Sequence, residues 1–175
     1  MWLTGLPGSG KTTSASFLLG ELARVGITAA SLDGDVIRGG ISADLGFTES
    51  DRAENVRRTG EIALLLASQG FVAVVSLVSP RRASRDAIRR RHEGHGIDFL
   101  EVHVAAPLEV CEQRDPKSLY RRARGGSLAH MTGIDDPYEP PLSPDLVLVT
   151  DLDPPDKTGA ELVAFVRSVL DRSGR

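Results

Sequence analysis

The 175 residues, 41% hydrophobic and 26% charged, fit one soluble globular domain with a core of its own. A net charge of −3 disfavours a nucleic-acid partner, and a single cysteine, Cys111, excludes an internal disulfide and a cysteine metal cluster. No apolar run is long enough for a membrane span and no signal-like segment is evident, so we expect a cytoplasmic protein without a membrane partner.

Short apolar runs alternate with amphipathic stretches along the chain. The runs are rich in Val, Ile and Leu, and several lack period-two alternation, as strands buried on both faces do. The predicted strands are Trp2–Thr4, Thr28–Leu32, Val72–Leu77, Phe99–Val104 and Leu146–Val149. The predicted helices are Lys11–Val25, Glu49–Gln69, Pro80–Glu93, Leu108–Arg114, Pro116–Arg124 and Pro155–Leu170. This order predicts an α/β fold, a three-layer α/β/α P-loop domain with a mostly parallel five-stranded sheet.

One stretch, residues 125–144, differs from the rest of the chain. It holds three glycines and four prolines and has little apolar periodicity. About twenty irregular residues in a compact domain are usually functional or disordered. We therefore predict a mobile lid at approximately 125–144, within a single kinase domain that spans residues 1–175.

A glycine-rich motif stands between the first predicted strand and the first predicted helix. It fits the pattern G-x-x-x-x-G-K-[ST] and consists of Gly5, Leu6, Pro7, Gly8, Ser9, Gly10, Lys11 and Thr12. Its backbone N–H groups can converge on phosphate oxygens, and the helix that begins near Thr13 adds its positive end. Lys11 is expected to neutralise the β- and γ-phosphates, and Thr12 to bind a metal ion. The motif predicts ATP and Mg²⁺, with Thr13 among the ATP-binding residues.

Two aspartates, Asp33 and Asp35, follow the second predicted strand. Ligands gather at the carboxyl ends of parallel strands, and alternate residues of an extended segment point the same way. We expect Asp35 to orient or deprotonate an attacking hydroxyl, and Asp33 to support Mg²⁺ directly or through water. The two roles could be reversed, and an Asx turn that merely caps a helix is the alternative.

Further motifs make the acceptor more specific. They are the segments Leu32–Arg38, Leu45–Arg58, Val78–Pro80, Glu112–Lys117 with Leu119 and Tyr120, and Thr132–Glu139, in order within residues 2 to about 149. In these motifs the chain resembles the adenylylsulfate kinase family. The resemblance implies transfer of the ATP γ-phosphoryl group to the ribose 3′-hydroxyl of adenosine 5′-phosphosulfate (APS), which gives the sulfate donor PAPS.

The resemblance also implies site residues. Those expected to hold APS are Asp35, Arg38, Phe47, Arg52, Asn55, Val78, Ser79, Lys117, Met131, Thr132, Gly133 and Ile134, with Arg114 on ATP. Arginine forks suit the phosphosulfate anion, and Phe47 would stack on adenine. Ser79 matches a serine that can carry a phosphoserine in the family. We favour direct in-line transfer and expect Ser79 to cap the helix at Pro80.

Three residues depart from the family pattern, namely Arg81, Ala129 and Met131. They leave open a kinase of another small nucleotide or a metabolite, and a catalytically silent nucleotide-binding subunit. A homodimer also stays open. The arginines that follow Pro80, including Arg85, are interpreted as a solvated basic helix face, with Arg81 adding a cation beside the acceptor site.

Overall fold

The structure, a computed structural model, describes residues 1–172 and contains a five-stranded parallel sheet. The strands are β1 (Trp2–Thr4), β2 (Ala29–Asp33), β3 (Val72–Ser76), β4 (Glu101–Ala105) and β5 (Leu146–Val149), arranged in the order β2-β3-β1-β4-β5. The helices are α1 (Lys11–Arg24), α2 (Gly34–Gly39), α3 (Glu49–Ser68), α4 (Arg82–Glu93), α5 (Leu108–Arg114), α6 (Leu119–Arg124) and α7 (Pro155–Arg172). The predicted α/β class is confirmed.

Two apolar layers hold the helices against the sheet. On one face α1 and α7 pack on the central strands, with Leu18 and Leu162 fully buried. On the other face α3 and α4 cover Trp2, and Ile88 of α4 packs in the same cluster. Burying one such leucine contributes about 1.5–3 kcal/mol, so the two layers fix the sheet between the helices. No helix within residues 1–172 is long and apolar enough to cross a membrane.

Two helix starts differ from prediction, and one helix was not predicted. Helix α4 begins at Arg82 rather than Pro80, because Ser79 adopts a left-handed φ of 40° and Arg81 is the N-cap residue. Helix α6 begins at Leu119 rather than Pro116, after a left-handed Ser118. Helix α2 was not predicted, since six residues with a glycine at each end carry no helical periodicity.

Residues 125–144 contain neither a helix nor a strand, as predicted, but they are not unattached. A third apolar cluster joins Met131 to Cys111 of α5 and Tyr120 of α6. One isolated bridge connects Thr132 with Asp136. The apolar cluster holds the middle of the segment against α5 and α6, and the bridge closes a turn within the segment.

Candidate active site

A cavity of about 940 Å³ lies at the carboxyl edge of the sheet. Its wall is formed by the glycine-rich loop, the start of α2, one face of α3, the residues after β3, and parts of 114–120, 128–132 and 150–158. Its volume is at the upper end of the range that binds small molecules. It therefore has room for more than one substrate group.

The glycine-rich loop is closely packed around Lys11. A Cβ on Gly5 would lie 2.4 Å from the Val104 carbonyl oxygen, so only glycine fits there. The Lys11 Nζ donates hydrogen bonds to the Gly5 and Leu6 carbonyls at 3.0 and 2.8 Å. The Lys11 side chain is only 9% exposed, and this burial lowers its pKa to about 8. The loop thus holds a buried amine at one end of the cavity.

Asp33 connects this loop to β2. Its Oδ2 accepts a hydrogen bond from the Thr12 hydroxyl at 2.8 Å, and its Oδ1 accepts one from the Asp35 N–H at 3.0 Å. Asp33 is the N-cap residue of α2, so the capping alternative describes it correctly, although the same carboxylate also faces the cavity. The expected extended segment is absent at this point, because the chain enters α2 directly after Asp33.

Thr12 and Asp33 together offer a hydroxyl and a carboxylate, the hard oxygen ligands that Mg²⁺ prefers. Mg²⁺ usually takes only one or two protein ligands and completes its shell with phosphate oxygens and water. Within residues 1–172 no group of three or more His, Cys, Asp or Glu side chains could hold a metal. The donor pair therefore fits a metal that arrives with a nucleotide, rather than a permanent metal centre.

Asp35 lies in the first turn of α2 and also lines the cavity. Its Oδ2 accepts a hydrogen bond from the Nζ of Lys117, which comes from the segment between α5 and α6. The pair is half-exposed or more on both sides. Asp35 thus carries its negative charge into the cavity with a lysine beside it, while Asp33 faces Thr12.

Two arginines and a phenylalanine, Arg38, Arg52 and Phe47, form another part of the cavity wall. The Arg38 guanidinium lies 4.4 Å from the centre of the Phe47 ring, and the Arg52 guanidinium lies 5.4 Å from it. Arg52 also donates hydrogen bonds to the carbonyls of Phe47 and His130. Burial lowers the pKa of both arginines, and the nearby Arg38 lowers that of Arg52 further. This wall concentrates positive charge and connects α3 to residues 125–144.

Helix α3 begins with a capping box that sets the position of its polar residues. The Thr48 hydroxyl accepts a hydrogen bond from the Asp51 N–H at 3.2 Å, and the Asp51 carboxylate accepts one from the Thr48 N–H at 3.3 Å. Such a cap contributes about 1 kcal/mol. The fixed start turns Arg52 and Asn55 toward the cavity, so this face of α3 is not a solvated one.

Three buried polar atoms on the cavity wall have no hydrogen-bond partner in the described structure: Asn55 Oδ1, Ser76 Oγ and Thr132 Oγ1. Asn55 is only 2% exposed. An unpaired buried polar group costs about 1–3 kcal/mol, which a ligand can offset by completing its hydrogen bonds. Asn55 and Thr132 were predicted, whereas Ser76 was missed because a serine at the end of a strand has no distinctive sequence signal.

Ser79 does not cap α4, contrary to the prediction. Its hydroxyl is 1% exposed, accepts a hydrogen bond from the Trp2 indole at 2.9 Å and donates one to Thr4 at 3.1 Å. The Glu139 carboxylate receives the Arg82 N–H instead, at 2.8 Å. The Ser79 turn still lines the cavity, but its hydroxyl belongs to a buried network.

Several predicted residues lie away from the cavity lining. The Gly133 N–H donates to the Asp136 carbonyl at 2.7 Å, and Ile134 packs in the third apolar cluster. In the glycine-rich loop, Gly5, Leu6 and Ser9 lie behind the surface that Pro7, Gly8, Gly10, Lys11, Thr12 and Thr13 present. Met131 contributes to both the apolar cluster and the cavity wall.

The basic helix face is not uniformly solvated. Arg81 forms ion pairs with Glu49 at 3.0 Å and Glu139 at 3.1 Å and lies outside the cavity lining. Arg85 is fully buried and pairs with Glu101 at 2.6 Å. The expectation of a free Arg81 cation beside the site and a solvated Arg85 is therefore wrong, because carboxylates distant in sequence reach both residues.

A segment that the motifs did not identify follows β5 and lines the cavity beside the glycine-rich loop. It comprises Thr150, Asp151, Leu152, Asp153, Pro154 and Pro155, with Thr158 of α7. The Thr150 hydroxyl donates to the Ser9 carbonyl at 2.8 Å, and Arg114 donates to the Thr150 carbonyl at 2.5 Å. The available signal was its place at the carboxyl end of a parallel strand.

The chain matches known proteins over nearly its whole length. The family model for adenylylsulphate kinase matches residues 1–149. The adenylyl-sulfate kinase of Paraburkholderia xenovorans is 50% identical over 174 residues, which cover 99% of this chain and 96% of that protein. The corresponding enzyme of Shewanella amazonensis is 48% identical over 96% of this chain and 84% of that protein.

Solved structures are also similar to this chain. The Mycobacterium tuberculosis APS kinase CysC, in complex with AMPPNP and APS, superposes with a TM-score of 0.91 at 46% identity over 95% of each chain. A sugar kinase from Janibacter has a TM-score of 0.64 at 20% identity and shares the fold alone.

Proposed function

This chain belongs to the adenylylsulfate kinase family, and from that premise we propose which of its residues bind ATP and which bind APS. The enzyme is an ATP-dependent kinase that phosphorylates the 3′-hydroxyl of APS and yields PAPS. The observation that carries the division is the charge and polarity of the cavity. One end holds a buried lysine in a glycine-rich loop, and the other holds arginines, an aromatic ring and unpaired polar atoms.

We assign the ATP phosphates to the glycine-rich loop. Lys11 neutralises the β- and γ-phosphates, and Thr12 and Asp33 would hold Mg²⁺. When bound, Mg²⁺ supplies positive charge to the phosphate oxygens during transfer. The base of ATP would lie between Arg114 and the segment that follows β5, since both line the cavity beside the loop.

We assign APS to the other end of the cavity. Arg38 and Arg52 offer planar donors for the phosphosulfate anion, and Phe47 offers a ring face to the adenine. Asn55 and Thr132 would complete their hydrogen bonds on the substrate. Asp35, Val78, Ser79, Lys117 and Met131 also line the cavity, and we assign them to the APS half.

Transfer would be direct. The 3′-oxygen of APS bonds to the γ-phosphorus, the bond from that phosphorus to the β–γ bridging oxygen breaks, and ADP leaves. Asp35 orients the hydroxyl and takes its proton, while Lys117 holds the carboxylate in place. The burial of the Ser79 hydroxyl against Trp2 supports direct transfer over a phosphoserine at Ser79.

We further propose a lid within residues 125–144 of a single domain. Arg52 touches this segment at His130 and Asp136, which would couple APS binding to closure and the exclusion of water.

A cytoplasmic location and a homodimer are also proposed. Size-exclusion chromatography with light scattering tests the oligomeric state.

Calorimetry on two variants tests the two-ended assignment. Asn55→Ala should weaken APS binding about tenfold, since one buried hydrogen bond is worth about 1–1.5 kcal/mol, and should leave the affinity for an ATP analogue unchanged. Asp33→Asn should weaken the binding of Mn²⁺ with that analogue, measured by electron paramagnetic resonance. Equal loss of APS and ATP-analogue affinity in Asn55→Ala would contradict the division.

A further inference from the structure

Arg85 is a buried cation that the reaction itself does not use. It lies one turn inside α4, and its side chain is 1% exposed. Its Nε donates to Glu101 Oε1 at 2.6 Å, its Nη1 to the Ser79 carbonyl at 2.7 Å and its Nη2 to the Glu139 carbonyl at 2.7 Å. One planar group therefore joins a strand, a turn and the base of the segment 125–144.

The Ser79 turn is the first of the joined elements. Val78, Ser79 and Pro80 line the cavity, and Ser79 holds a left-handed φ of 40° that a residue with a side chain rarely adopts. Such a conformation persists only when surrounding contacts determine it. The hydrogen bond from Arg85 to the Ser79 carbonyl is one of those contacts, so the guanidinium helps to set the shape of this wall.

The residues at the base of the lid are the second element. The Glu139 N–H donates to the Pro80 carbonyl at 2.9 Å, and the neighbouring Tyr138 hydroxyl lies 3.1 Å from the Thr4 hydroxyl. The Arg85 guanidinium lies 5.8 Å from the centre of the Tyr138 ring. Arg85 thus anchors the C-terminal part of the segment 125–144 to the same turn that lines the cavity.

We propose that Arg85 is a positioning residue for the acceptor, and that it fixes the Ser79 turn and the lid base relative to each other. The inference rests on the proposed function, in which residues 78–80 belong to the APS end of the cavity. Lysine could not replace Arg85, since a single ammonium cannot present three donors in one plane to three fixed oxygens. Arg85 does not touch the glycine-rich loop, so ATP binding should not depend on it.

A double variant of the full chain, Arg85→Met with Glu101→Gln, tests the proposal. Neutralising both partners avoids the buried unpaired carboxylate that Arg85→Met alone would leave. We expect a thermal midpoint within about 5 °C of the parent. We also expect a KM for APS raised about tenfold and a KM for ATP changed by less than about twofold. A folded double variant with the parental KM for APS overturns the proposal.

A second variant keeps the proposal falsifiable if the double variant does not fold. Arg85→Lys retains a charge beside Glu101 but loses the planar fork, and it should raise the KM for APS about fivefold. An unchanged KM for APS in Arg85→Lys would also overturn the proposal.

Arg89 supplies the matched control. It lies one turn further along α4, 3.7 Å from Glu101, and donates to the Phe99 carbonyl and to Asp145. Arg89→Met should lower the thermal midpoint and leave both KM values unchanged; a raised KM for APS in this control would overturn the specific role of Arg85.

Asn55→Ala, assayed in parallel, separates this proposal from the function on which it rests. If Asn55→Ala raises the KM for APS and the Arg85 variants do not, only the positioning role fails. If neither raises it, the placement of APS fails as well.

Discussion

The two ends of the cavity are built differently. The ATP end is centred on one run of eight residues, in which the backbone carbonyls of Gly5 and Leu6 already hold Lys11. The APS end gathers side chains from α2, α3 and residues 78–80 and 128–132, and it contains polar atoms that have no partner. A substitution of Lys11 at the first end should remove most of the turnover. At the second end, substitutions of residues that only hold APS should change affinity by degrees, and only Asp35, which takes the proton, should lower turnover. Each prediction below tests that contrast.

Lys11→Met should produce the largest effect. Removing a cation that faces the charge developing in the transition state costs about 10²- to 10³-fold in turnover. The fold should survive, since methionine retains most of the buried stem. Steady-state assays with saturating ATP and APS measure the loss, and circular dichroism checks the fold. Turnover within tenfold of the parent would break the contrast, because the ATP end would then tolerate substitution.

Asp35→Asn is expected next, with a loss of about 10²-fold in kcat, the lower end of general-base contributions. Asparagine keeps the shape but cannot take the 3′-hydroxyl proton. The dissociation constant for APS, measured by calorimetry, should change by less than about threefold. Equal losses in binding and turnover would mean that Asp35 only binds substrate.

The titration of Lys11 should have a smaller effect on activity. As pH rises, kcat/KM for ATP should fall while the free energy of unfolding should rise. With a pKa of about 8 in the folded enzyme, the amine loses its charge as pH rises, so kcat/KM for ATP should fall about fivefold between pH 8 and 9. Unfolded lysine stays protonated to 10.5, so the unfolded state binds more protons in this window and the stability rises with pH.

Denaturation curves of the parent and of Lys11→Met, from pH 8 to 10, isolate this contribution. The parent should gain stability relative to the variant as pH rises. If the stability of the parent minus that of the variant stays flat or decreases from pH 8 to 10, burial does not depress the pKa of Lys11.

Arg81→Tyr should have the smallest effect. The Arg81 guanidinium is directed to Glu49 and Glu139 rather than to the cavity, so removing it should change the KM for APS by less than about twofold. Steady-state kinetics with varied APS and saturating ATP measure this KM. A shift above fivefold would extend the APS end to this departure from the family pattern.

The sequence predicted most of the fold because strand and helix periods are local. All five strands and six of the seven helices within residues 1–172 were anticipated to within a few residues. Helix α2 could not be anticipated, since a helix of six residues is too short to show a period. The glycine-rich loop could also be predicted, because the residues that would bind phosphate are contiguous in the sequence.

The rest of the site depends on contacts between residues far apart in the chain. The sequence predicted a solvated Arg85, because the partners of this residue lie outside α4. They are Glu101 and the carbonyls of Ser79 and Glu139. The segment after β5 has no motif and becomes part of the site only when the sheet brings it beside the loop. Long-range pairing of this kind cannot be recovered from periodicity.

The carboxylate of Asp33 serves two structures at once, since one oxygen caps α2 and the other meets Thr12. Asparagine would keep the cap and lose the charge, while glutamate would keep the charge and lose the capping geometry. No single substitution preserves both roles. A substitution of Asp33 should therefore disturb the start of α2 or the ATP end, because one carboxylate connects the two.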